Sequence, residues 1–349
     1  MANPLENTQR IPVADFATLS FDNTNPKANE QFLRIWDHSF RNFGFIFLIN
    51  HGLEPKYRQL HLAAEAFFDL PAEEKLKFRI ADTYGQGGFA PAGQESVSRT
   101  YLDEATSRPP DAVESLVTAN SQLDTLPCIA NGYQTDAIRE FAAELTAGLD
   151  RLTIDVMKIM AMCLELSEDR LLPFYQRGRA NNNLRIANYL TVSGENTQGQ
   201  IRYGEHTDYT GFTFLWRSAD NGLQCLELPA RLDPDSETAQ ISREDKWLDI
   251  RTLTDYPDAL VVNAGDLIQR WTNDYWISNV HRVNHNSAHQ ADGDKNPISI
   301  VYFTGPHDDT RIRVLSQSKK VRGEGSIRAE YREDITAGEH LWSKINESN

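Results

Sequence analysis

Apolar residues in the first quarter of the chain recur at the spacing of amphipathic helices, interrupted by one continuous apolar run. An amphipathic helix is predicted over residues 28–42, where four apolar side chains fall near helical spacing, namely Phe32, Ile35, Trp36 and Phe40. The run FGFIFLINHG that follows ends in a turn and predicts a buried strand. Further helices are predicted over 57–68 and from Pro71, because proline and acidic residues are favoured in the first helical turn.

The second half of the chain changes from helical to strand periodicity. A long amphipathic helix is predicted over residues 135–166. After it, short apolar segments alternate with turn residues, in LRIANYL, GFTFLW, LQCLEL, WLDI, ALVVNAGD and ISIVYF, and the NAGD of the fifth segment predicts a turn. Helices followed by many short strands predict a mainly β fold with flanking helices, which pack against a β-sandwich or barrel.

Two segments have the composition of connections. Residues 82–132 are rich in Gly, Pro, Ser and Asp and predict a long loop, of the kind that often covers a functional site. Residues 229–246 are polar and charged and predict a surface insertion between two strands. We divide the chain into an N-terminal region, 1–132, and a long helix with a β-rich core, 133–349, which together are expected to form one functional domain.

The composition of the chain argues against several classes of function. The 349 residues carry a formal net charge of −15, the pI is near 5.1, and no run of basic residues occurs. Nucleic acids and anionic membranes require clustered Lys and Arg, so we expect neither as a partner. Three widely spaced cysteines predict reduced thiols, and no secretory signal or membrane-spanning apolar stretch is visible. We therefore expect a cytoplasmic protein whose partner is a small molecule.

The segment GEHTDYTGFTFL contains two metal-ligating residue types at close spacing. In a strand, residues i and i+2 point to the same face, so His206 and Asp208 present an imidazole and a carboxylate side by side. His281 completes the set if the chain returns to the same place. Two histidines and one carboxylate on one face of an iron ion leave positions open for oxygen and a reductant. A His-x-Asp pair alone is common by chance, so its context has to support the interpretation.

That context resembles the iron(II)/2-oxoglutarate dioxygenases of the isopenicillin N synthase-like family. The N-terminal region supplies IPVADF, FGFIFLINHGL, AFFDLPAEEKLKF and GFAPAGQE. The core supplies GEHTDYTGFTFL, NGLQCLEL, VVNAGDLIQRWTNDYWISNVHRV, SIVYFTGP and TAGEHLWSKI. GEHTDY and VVNAGDLIQRWTND are most similar to microbial enzymes of the fungal thymine hydroxylase type. The resemblance implies a double-stranded β-helix core (a jelly roll, cupin-like) with a helical N-terminal region.

The resemblance also implies a reaction. Iron(II) is expected on His206, Asp208 and His281, with 2-oxoglutarate chelating the metal and O2 binding at the remaining position. Oxidative decarboxylation of 2-oxoglutarate then gives a ferryl species that oxidises a small organic molecule. Hydroxylation is the commonest outcome in the family, and desaturation and cyclisation also occur. Tyr189 and Ser299 match family positions that bind the co-substrate carboxylate.

One position departs from the family pattern. The family reads Arg-x-Ser in the strand after the second histidine, and this arginine pairs with the far carboxylate of 2-oxoglutarate. Here Ser299 is kept, but Pro297 occupies the arginine position and has no donor. Lys295 is the predicted replacement, and Arg217, at the end of GFTFLWR, is a second candidate. A β-bulge could also shift the register here, or the enzyme could be an iron oxidase that does not use 2-oxoglutarate conventionally.

Three further residues are expected to line the substrate site. Arg185 lies on the same strand face as Tyr189, which points it into the barrel, where a buried guanidinium requires a polar or anionic partner. Tyr209 and Phe303 match pocket-lining positions of the family, although each is equally consistent with a core aromatic. A catalytically inactive barrel that binds a ligand is the remaining hypothesis, and the intact set of predicted metal ligands argues against it.

Overall fold

The structure is a computed structural model, and it describes residues 11–22, 24–79, 88–93, 110–119, 123, 126, 137–175, 180–191, 201–227, 246–284, 295–321 and 327–348. The predicted surface insertion, 229–246, lies outside the described residues except for its last position. Much of the predicted loop over 82–132 also lies outside them.

Six α-helices occur in the described part of the chain: α1 (Pro26–Asn42), α2 (Glu54–Phe68), α3 (Ala72–Leu76), α4 (Ala137–Cys163), α5 (Asp266–Trp271) and α6 (Ala337–Ser348). The strands are β1 (Val13–Asp15), β2 (Phe45–Ile49), β3 (Gly88–Ala90), β4 (Val113–Ala119), β5 (Asn183–Tyr189), β6 (Tyr203–His206), β7 (Phe212–Arg217), β8 (Leu223–Leu226), β9 (Trp247–Asp249), β10 (Leu260–Ala264), β11 (His281–Val283), β12 (Ile298–Phe303), β13 (Arg311–Ile312) and β14 (Ile335–Thr336). None of these helices is both long enough and apolar enough to cross a membrane.

Eight strands form one large sheet, in the order β1-β2-β10-β7-β12-β5-β4-β3. The pairs in this sheet are antiparallel, apart from β1 and β2, which run parallel. Strands β1 to β4 come from the predicted N-terminal region, 1–132, and the other four come from the β-rich core. The two parts of the chain therefore share a sheet.

Two strands lie where the sequence predicts a loop. β3 and β4 both fall within residues 82–132, and β4 pairs with β5 along its whole length. The prediction of a loop-dominated connection is therefore wrong at these two places. Residues rich in Gly, Pro and Ser flank a seven-residue strand, VESLVTA, and mask its pattern in the composition of the segment. Five of its seven residues are buried. One of the buried residues is Glu114, whose charge is unusual in a strand interior and obscures the apolar pattern.

A small sheet of four strands, in the order β6-β11-β8-β9, faces the large sheet. Inward-pointing residues of the two sheets pack into one apolar cluster, to which the large sheet contributes Phe47, Ala187 and Val261 and the small sheet contributes Cys225 and Val283. Two mostly antiparallel sheets packed face to face around a shared core form a jelly roll. The observed architecture is thus a β core with flanking helices, as the sequence predicts.

Helix α1 covers the outer face of β7. The helix follows the N-cap residue Asn25, whose side chain accepts a hydrogen bond from the first turn. Trp36 and Phe40 of α1 contact Phe212 at ring-centroid distances of 6.2 and 5.2 Å. All six residues of β7 are buried, because helices cover one face and the barrel interior covers the other. This explains the continuous apolar run GFTFLW and fixes the strand that follows the predicted metal ligands.

A buried ion pair joins α3 to the large sheet. Lys75 Nζ donates to both carboxylate oxygens of Glu114 on β4, at 2.9 and 2.8 Å. The same ammonium donates to the backbone oxygen of Phe68 at 3.1 Å, and Asn188 of β5 donates to Glu114 at 2.9 Å. A buried charge of this kind is stable only while its partner remains, because neither group has water to solvate it.

Removing one partner of this pair should cost more stability than removing both. Lys75→Met leaves the Glu114 carboxylate uncompensated, and we expect the free energy of unfolding to fall by about 3–5 kcal/mol. Adding Glu114→Gln should recover most of this loss, because the amide keeps a hydrogen bond from Asn188. Chemical denaturation measures both variants, and Lys77→Met, in an exposed pair with Glu74, is the matched control. A double variant no more stable than Lys75→Met would contradict the prediction.

Candidate metal centre

The structure brings the three predicted metal ligands together at one end of the jelly roll. β6 ends at His206, Asp208 follows two residues later, and β11 begins at His281. β6 and β11 are antiparallel neighbours, and His281 lies directly opposite His206 in their register. The pairing of two strands that are far apart in sequence therefore completes the set.

The metal-ligating atoms of the three side chains converge. Nε2 of His206 lies 3.8 Å from Oδ1 of Asp208, and Nε2 of His281 lies 3.7 Å from the same oxygen. One ligating atom from each residue falls within 4.8 Å of the others, and all three residues are buried. This spacing suits three ligands that share one ion.

Each imidazole is oriented by its second nitrogen. Nδ1 of His206 contacts the backbone oxygen of Gly204 at 2.8 Å, and Nδ1 of His281 contacts that of Asn279 at 3.1 Å. A carbonyl accepts only from a protonated nitrogen, so each ring carries a hydrogen on Nδ1 and directs Nε2 toward Asp208. Burial, reinforced by the neighbouring His281, lowers the pKa of His206 to about 3, so this ring is neutral at neutral pH.

The carboxylate of Asp208 is held by two hydrogen bonds to one of its oxygens. Thr213 Oγ1 of β7 and Asn263 Nδ2 of β10 both donate to Oδ2, at 2.5 and 2.6 Å. Burial alone would raise the pKa of Asp208, but the two imidazoles and these hydrogen bonds outweigh it and hold the pKa below its ordinary value. Oδ1 therefore remains charged and directed at the two histidines.

Close backbone packing fixes the loop that carries Asp208. The backbone N–H of Asp266 donates to the Asp208 carbonyl at 2.8 Å, and that of Gly265 donates to the Gly211 carbonyl at 2.7 Å. A Cβ at position 265 would lie 2.5 Å from the Thr210 carbonyl oxygen, so only glycine fits there. The prediction that NAGD forms a turn into the next strand is wrong, because Asn263 and Ala264 end β10, Gly265 caps α5, and Asp266 begins that helix.

The donor set fits a non-haem iron(II) ion. Two neutral imidazole nitrogens and one carboxylate oxygen are the ligands of the facial arrangement found in iron oxygenases. The cysteine thiols that favour zinc or iron–sulfur clusters take no part in this cluster of described residues. Both imidazoles and the carboxylate also have oriented hydrogen-bond partners, which metal ligands generally require.

The three ligands open onto a cavity between the two sheets. Its walls are mainly apolar, and Phe45, Leu215 and Val301 are among the residues that form them. Phe45 also packs edge-on against the His281 ring, at a centroid distance of 5.3 Å. Tyr203 makes the corresponding contact with His206, at 4.8 Å. The walls therefore hold both imidazole rings in place as well as shielding the site from water.

The other predicted site residues divide into two groups. Arg185, Tyr189 and Phe303 line the cavity together with the metal ligands. Ser299 is fully buried beyond the lining, and Tyr209 is partly exposed. Lys295 lies at the surface with 70% of its side chain exposed, and its ammonium pairs with Glu65 of α2 at 3.2 Å.

Sequence reasoning missed the two residues that support Asp208. Thr213 lies within an apolar strand, and Asn263 was assigned to a turn. Each is a buried polar residue in an otherwise apolar segment, and this mismatch is a usable signal. The identity of their partner is not in the local sequence, because the contact between Asn263 and Asp208 spans 55 positions.

Two protein-family models match the chain. The model described as the 2OG-Fe(II) oxygenase superfamily matches residues 181–306, which include the three predicted ligands. The model described as the N-terminal region of non-haem dioxygenases in morphine synthesis matches residues 11–124. The two matches follow one another along the chain and take in both of its predicted parts.

Characterised relatives extend over nearly the whole chain. Proline hydroxylase buaE of Petromyces alliaceus is 26% identical over 343 residues, which cover 97% of this chain and 98% of the relative. Validamycin A dioxygenase of Streptomyces hygroscopicus subsp. limoneus is also 26% identical and covers 85% of this chain and 77% of its own. The crystal structure of the full-length thymine hydroxylase of Neurospora crassa in complex with alpha-KG superimposes with a TM-score of 0.76 at 25% identity, over 99% of this chain and 98% of that one.

A double-stranded β-helix that turns two histidines and a carboxylate toward one cavity defines a non-haem iron(II) oxygenase. This chain belongs to the 2OG-Fe(II) oxygenase superfamily and is an enzyme that uses iron(II), 2-oxoglutarate and O2. The predicted family, fold, cofactors and similarity to thymine hydroxylase are thereby confirmed. The hypothesis of an oxidase that does not use 2-oxoglutarate conventionally is not supported.

The two hydrogen bonds to Asp208 should determine how tightly the metal binds. We expect Thr213→Val and Asn263→Leu each to weaken iron(II) binding by about 10- to 100-fold, because the carboxylate loses an orienting donor. Equilibrium dialysis under anaerobic conditions measures the affinity.

Thr210→Val provides a matched control for this test. The Thr210 hydroxyl is buried nearby but has no hydrogen-bond partner in the described part of the structure. We expect Thr210→Val to bind iron(II) like the unmodified protein. Equal losses in Thr210→Val and Thr213→Val would show that the hydrogen bond to Asp208 is not the cause.

Proposed function

We propose that this enzyme oxidises a C–H bond of a small, polar organic molecule at an iron(II) ion held by His206, Asp208 and His281. The observation that carries the proposal is the convergence of three metal-ligating atoms at the wall of a mainly apolar cavity. Iron(II) with 2-oxoglutarate and O2 supplies, when bound, an oxidising power that no protein side chain has. Hydroxylation is the expected outcome, with desaturation and cyclisation as the other reactions of this scaffold.

The chain's own residues contribute position and exclusion of water. His206, Asp208 and His281 would hold the ion at the wall of the cavity, and three protein ligands would leave coordination positions for small molecules. Thr213 and Asn263 keep the carboxylate of Asp208 ionised and directed at the metal. Apolar walls that include Leu215 and Val301 exclude water from the reacting groups, which protects a reactive site from side reactions.

Arg185 is the proposed recognition residue for the substrate. Its Nη1 donates to the Tyr203 hydroxyl at 3.1 Å, and its guanidinium lies 4.8 Å from the centre of the Tyr203 ring. Both residues line the cavity beside His206. A guanidinium in this position favours a substrate with an anionic or hydrogen-bond-accepting group, and Phe303 offers an aromatic surface for the rest of the molecule.

The names of the relatives agree with a substrate of this class. They include a proline hydroxylase and a validamycin A dioxygenase, and the thymine hydroxylase of Neurospora crassa has been crystallised with alpha-KG and thymine at a TM-score of 0.74 to this chain. These compounds are small and rich in hydrogen-bonding groups. The net charge of −15 makes nucleic acid a poor partner by comparison.

We also propose a cytoplasmic location. Cys163 and Cys225 are free thiols buried in the structure. Free thiols are typical of reducing compartments, where disulfides do not persist. Burial raises the pKa of Cys225 to about 12, so this thiol is an inert core residue.

Loss of one ligand should abolish metal binding. We expect His206→Ala to retain no stoichiometric iron(II) and to produce no succinate from 2-oxoglutarate, because two remaining ligands do not hold the ion. Iron analysis and a succinate assay measure the two effects. His38→Ala, on the exposed face of α1, is the control. Stoichiometric iron in His206→Ala would contradict the proposed centre.

Replacement of Arg185 should lower kcat/KM for the substrate more than it weakens binding of 2-oxoglutarate. A panel of small polar compounds that includes thymine and proline can be screened for those that stimulate succinate formation. For a stimulating compound, we expect Arg185→Met to lower kcat/KM by about 10- to 100-fold, the usual value of a charged hydrogen bond. Binding of 2-oxoglutarate should change little. Unaltered kcat/KM in Arg185→Met would remove this residue from the proposed substrate site.

A further inference from the structure

A buried arginine occupies the inner face of the jelly roll beyond the cavity. Alternate residues of β7 point inward: Thr213 contacts Asp208, Leu215 lines the cavity, and Arg217 follows at the far end of the strand. Only 4% of the Arg217 surface is exposed. The strand therefore leads from the metal site, past an apolar residue, to a cation.

The neighbouring strand β12 repeats this order of residue types. Ser299 lies directly opposite Arg217, and Val301 lies directly opposite Leu215. Val301 and Leu215 both line the cavity, so an apolar pair separates the metal ligands from the pair formed by Arg217 and Ser299. A chelating acid with two methylene groups and a second carboxylate matches this order of groups. Its chelating end would meet the metal, its methylene groups the apolar pair, and its second carboxylate the arginine.

The hydrogen bonds of Arg217 leave donors available. Nη1 donates to the Ile250 carbonyl at 2.6 Å and makes a long contact of 3.5 Å with Asn221 Oδ1. Nε and Nη2 donate to none of the described residues, and no carboxylate of those residues forms an ion pair with this guanidinium. Asp220 is near enough to act on this guanidinium electrostatically but forms no ion pair with it. A buried cation without a paired anion is costly, so the site favours an anionic ligand.

Further polar groups converge on the same place. Asn221 Nδ2 donates to Ser299 Oγ at 3.0 Å, and the Asn221 backbone carbonyl accepts from the buried Arg202 at 3.0 Å. Tyr189, which lines the cavity, lies close enough to both arginines to interact with them electrostatically. Burial lowers the pKa of Arg217 to about 10, which still leaves it charged at neutral pH.

The position that carries the family arginine supplies no hydrogen-bond donor to the barrel interior in this structure. Pro297 is buried, and its carbonyl accepts from the Tyr189 N–H at 3.1 Å, which continues the regular pairing of β12 with β5. A shift of register at Pro297 is therefore not observed. Lys295 is directed to the surface and pairs with Glu65 of α2. Neither residue offers a donor to the barrel interior.

We infer that Arg217, with Ser299 beside it, binds the distal carboxylate of 2-oxoglutarate in this enzyme and replaces the arginine lost at position 297. This inference rests on the proposed iron centre, because the other end of 2-oxoglutarate is bound by the metal. In this chain the guanidinium belongs to the neighbouring strand β7, at the position directly opposite the same serine in the strand register. Its free donors suit a carboxylate, which arginine binds in a planar, two-point geometry.

The test compares two ligands that differ only at the distal group. 2-Oxopentanoate has a methyl group where 2-oxoglutarate has its second carboxylate. The protein is loaded anaerobically with iron(II), each ligand is titrated, and the visible charge-transfer band of the chelate reports binding. We expect Arg217→Met to bind 2-oxoglutarate about 10- to 100-fold more weakly and to bind 2-oxopentanoate as before.

Three variants sharpen the comparison. Arg217→Lys keeps the charge but not the two-point geometry, so it should show a smaller loss confined to 2-oxoglutarate, and it provides the same test if Arg217→Met does not fold. Lys295→Met should behave like the unmodified protein. Arg202→Met should weaken 2-oxoglutarate less than Arg217→Met does.

Three results would overturn the inference: an unchanged preference for 2-oxoglutarate in the Arg217 variants, an equal loss of both ligands, or a loss in Lys295→Met or Arg202→Met that exceeds the loss in Arg217→Met. Iron content, measured on the same samples, separates these results from a failure of the metal site. Protein that holds no iron contradicts the proposed centre at His206, Asp208 and His281. Protein that holds iron but shows no dependence on Arg217 contradicts only the carboxylate anchor.

Discussion

The site depends on one ionised carboxylate that is kept out of contact with water. Asp208 is buried, and an isolated charge in that position would be strongly disfavoured. Two imidazoles and two hydrogen-bond donors compensate it, and the donors come from β7 and β10 of the large sheet. The histidines belong to β6 and β11 of the small sheet. The candidate metal centre therefore forms only when the two sheets are packed in register.

The rest of the fold serves this alignment. Helix α1 packs Trp36 and Phe40 against the outer face of β7, so that the inner face of that strand is held toward the ligands. The backbone of the Asp208 loop packs directly against Gly265, after the end of β10, and leaves no room for a side chain there. Strands from the N-terminal region extend the same sheet. Strands β1 to β4 thus belong to the structural support of the site.

The sequence predicts the candidate metal ligands but not the residues that support them. His206 and Asp208 follow from a two-residue spacing, and the surrounding motifs identify His281 as the third ligand. Thr213 and Asn263 could not be assigned, because their role comes from the register between strands. Lys295 was favoured over Arg217 because it is near Pro297 in sequence. The register between strands places Arg217 directly across from Ser299, whereas Lys295 lies at the surface and pairs with Glu65.

The fold class could be predicted because it depends on local sequence patterns. Long amphipathic helices and alternating strands have strong local patterns, and α1, α2 and α4 lie close to their predicted positions. β4 was missed because its pattern is interrupted by Glu114, which is buried with Lys75 as its partner from another element. Local sequence patterns therefore do not predict polar residues whose partners lie on another element. This holds in the core as well as in the site.

A crystal structure of the enzyme, grown anaerobically with iron(II) and 2-oxoglutarate, would show directly whether the ion binds at the three proposed ligands. We expect one anomalous iron peak bonded to Nε2 of His206, Oδ1 of Asp208 and Nε2 of His281. The chelating ligand should lie on the cavity side of the ion. Iron bound at other residues, or a fourth protein ligand that closes the cavity side, would contradict the proposed centre.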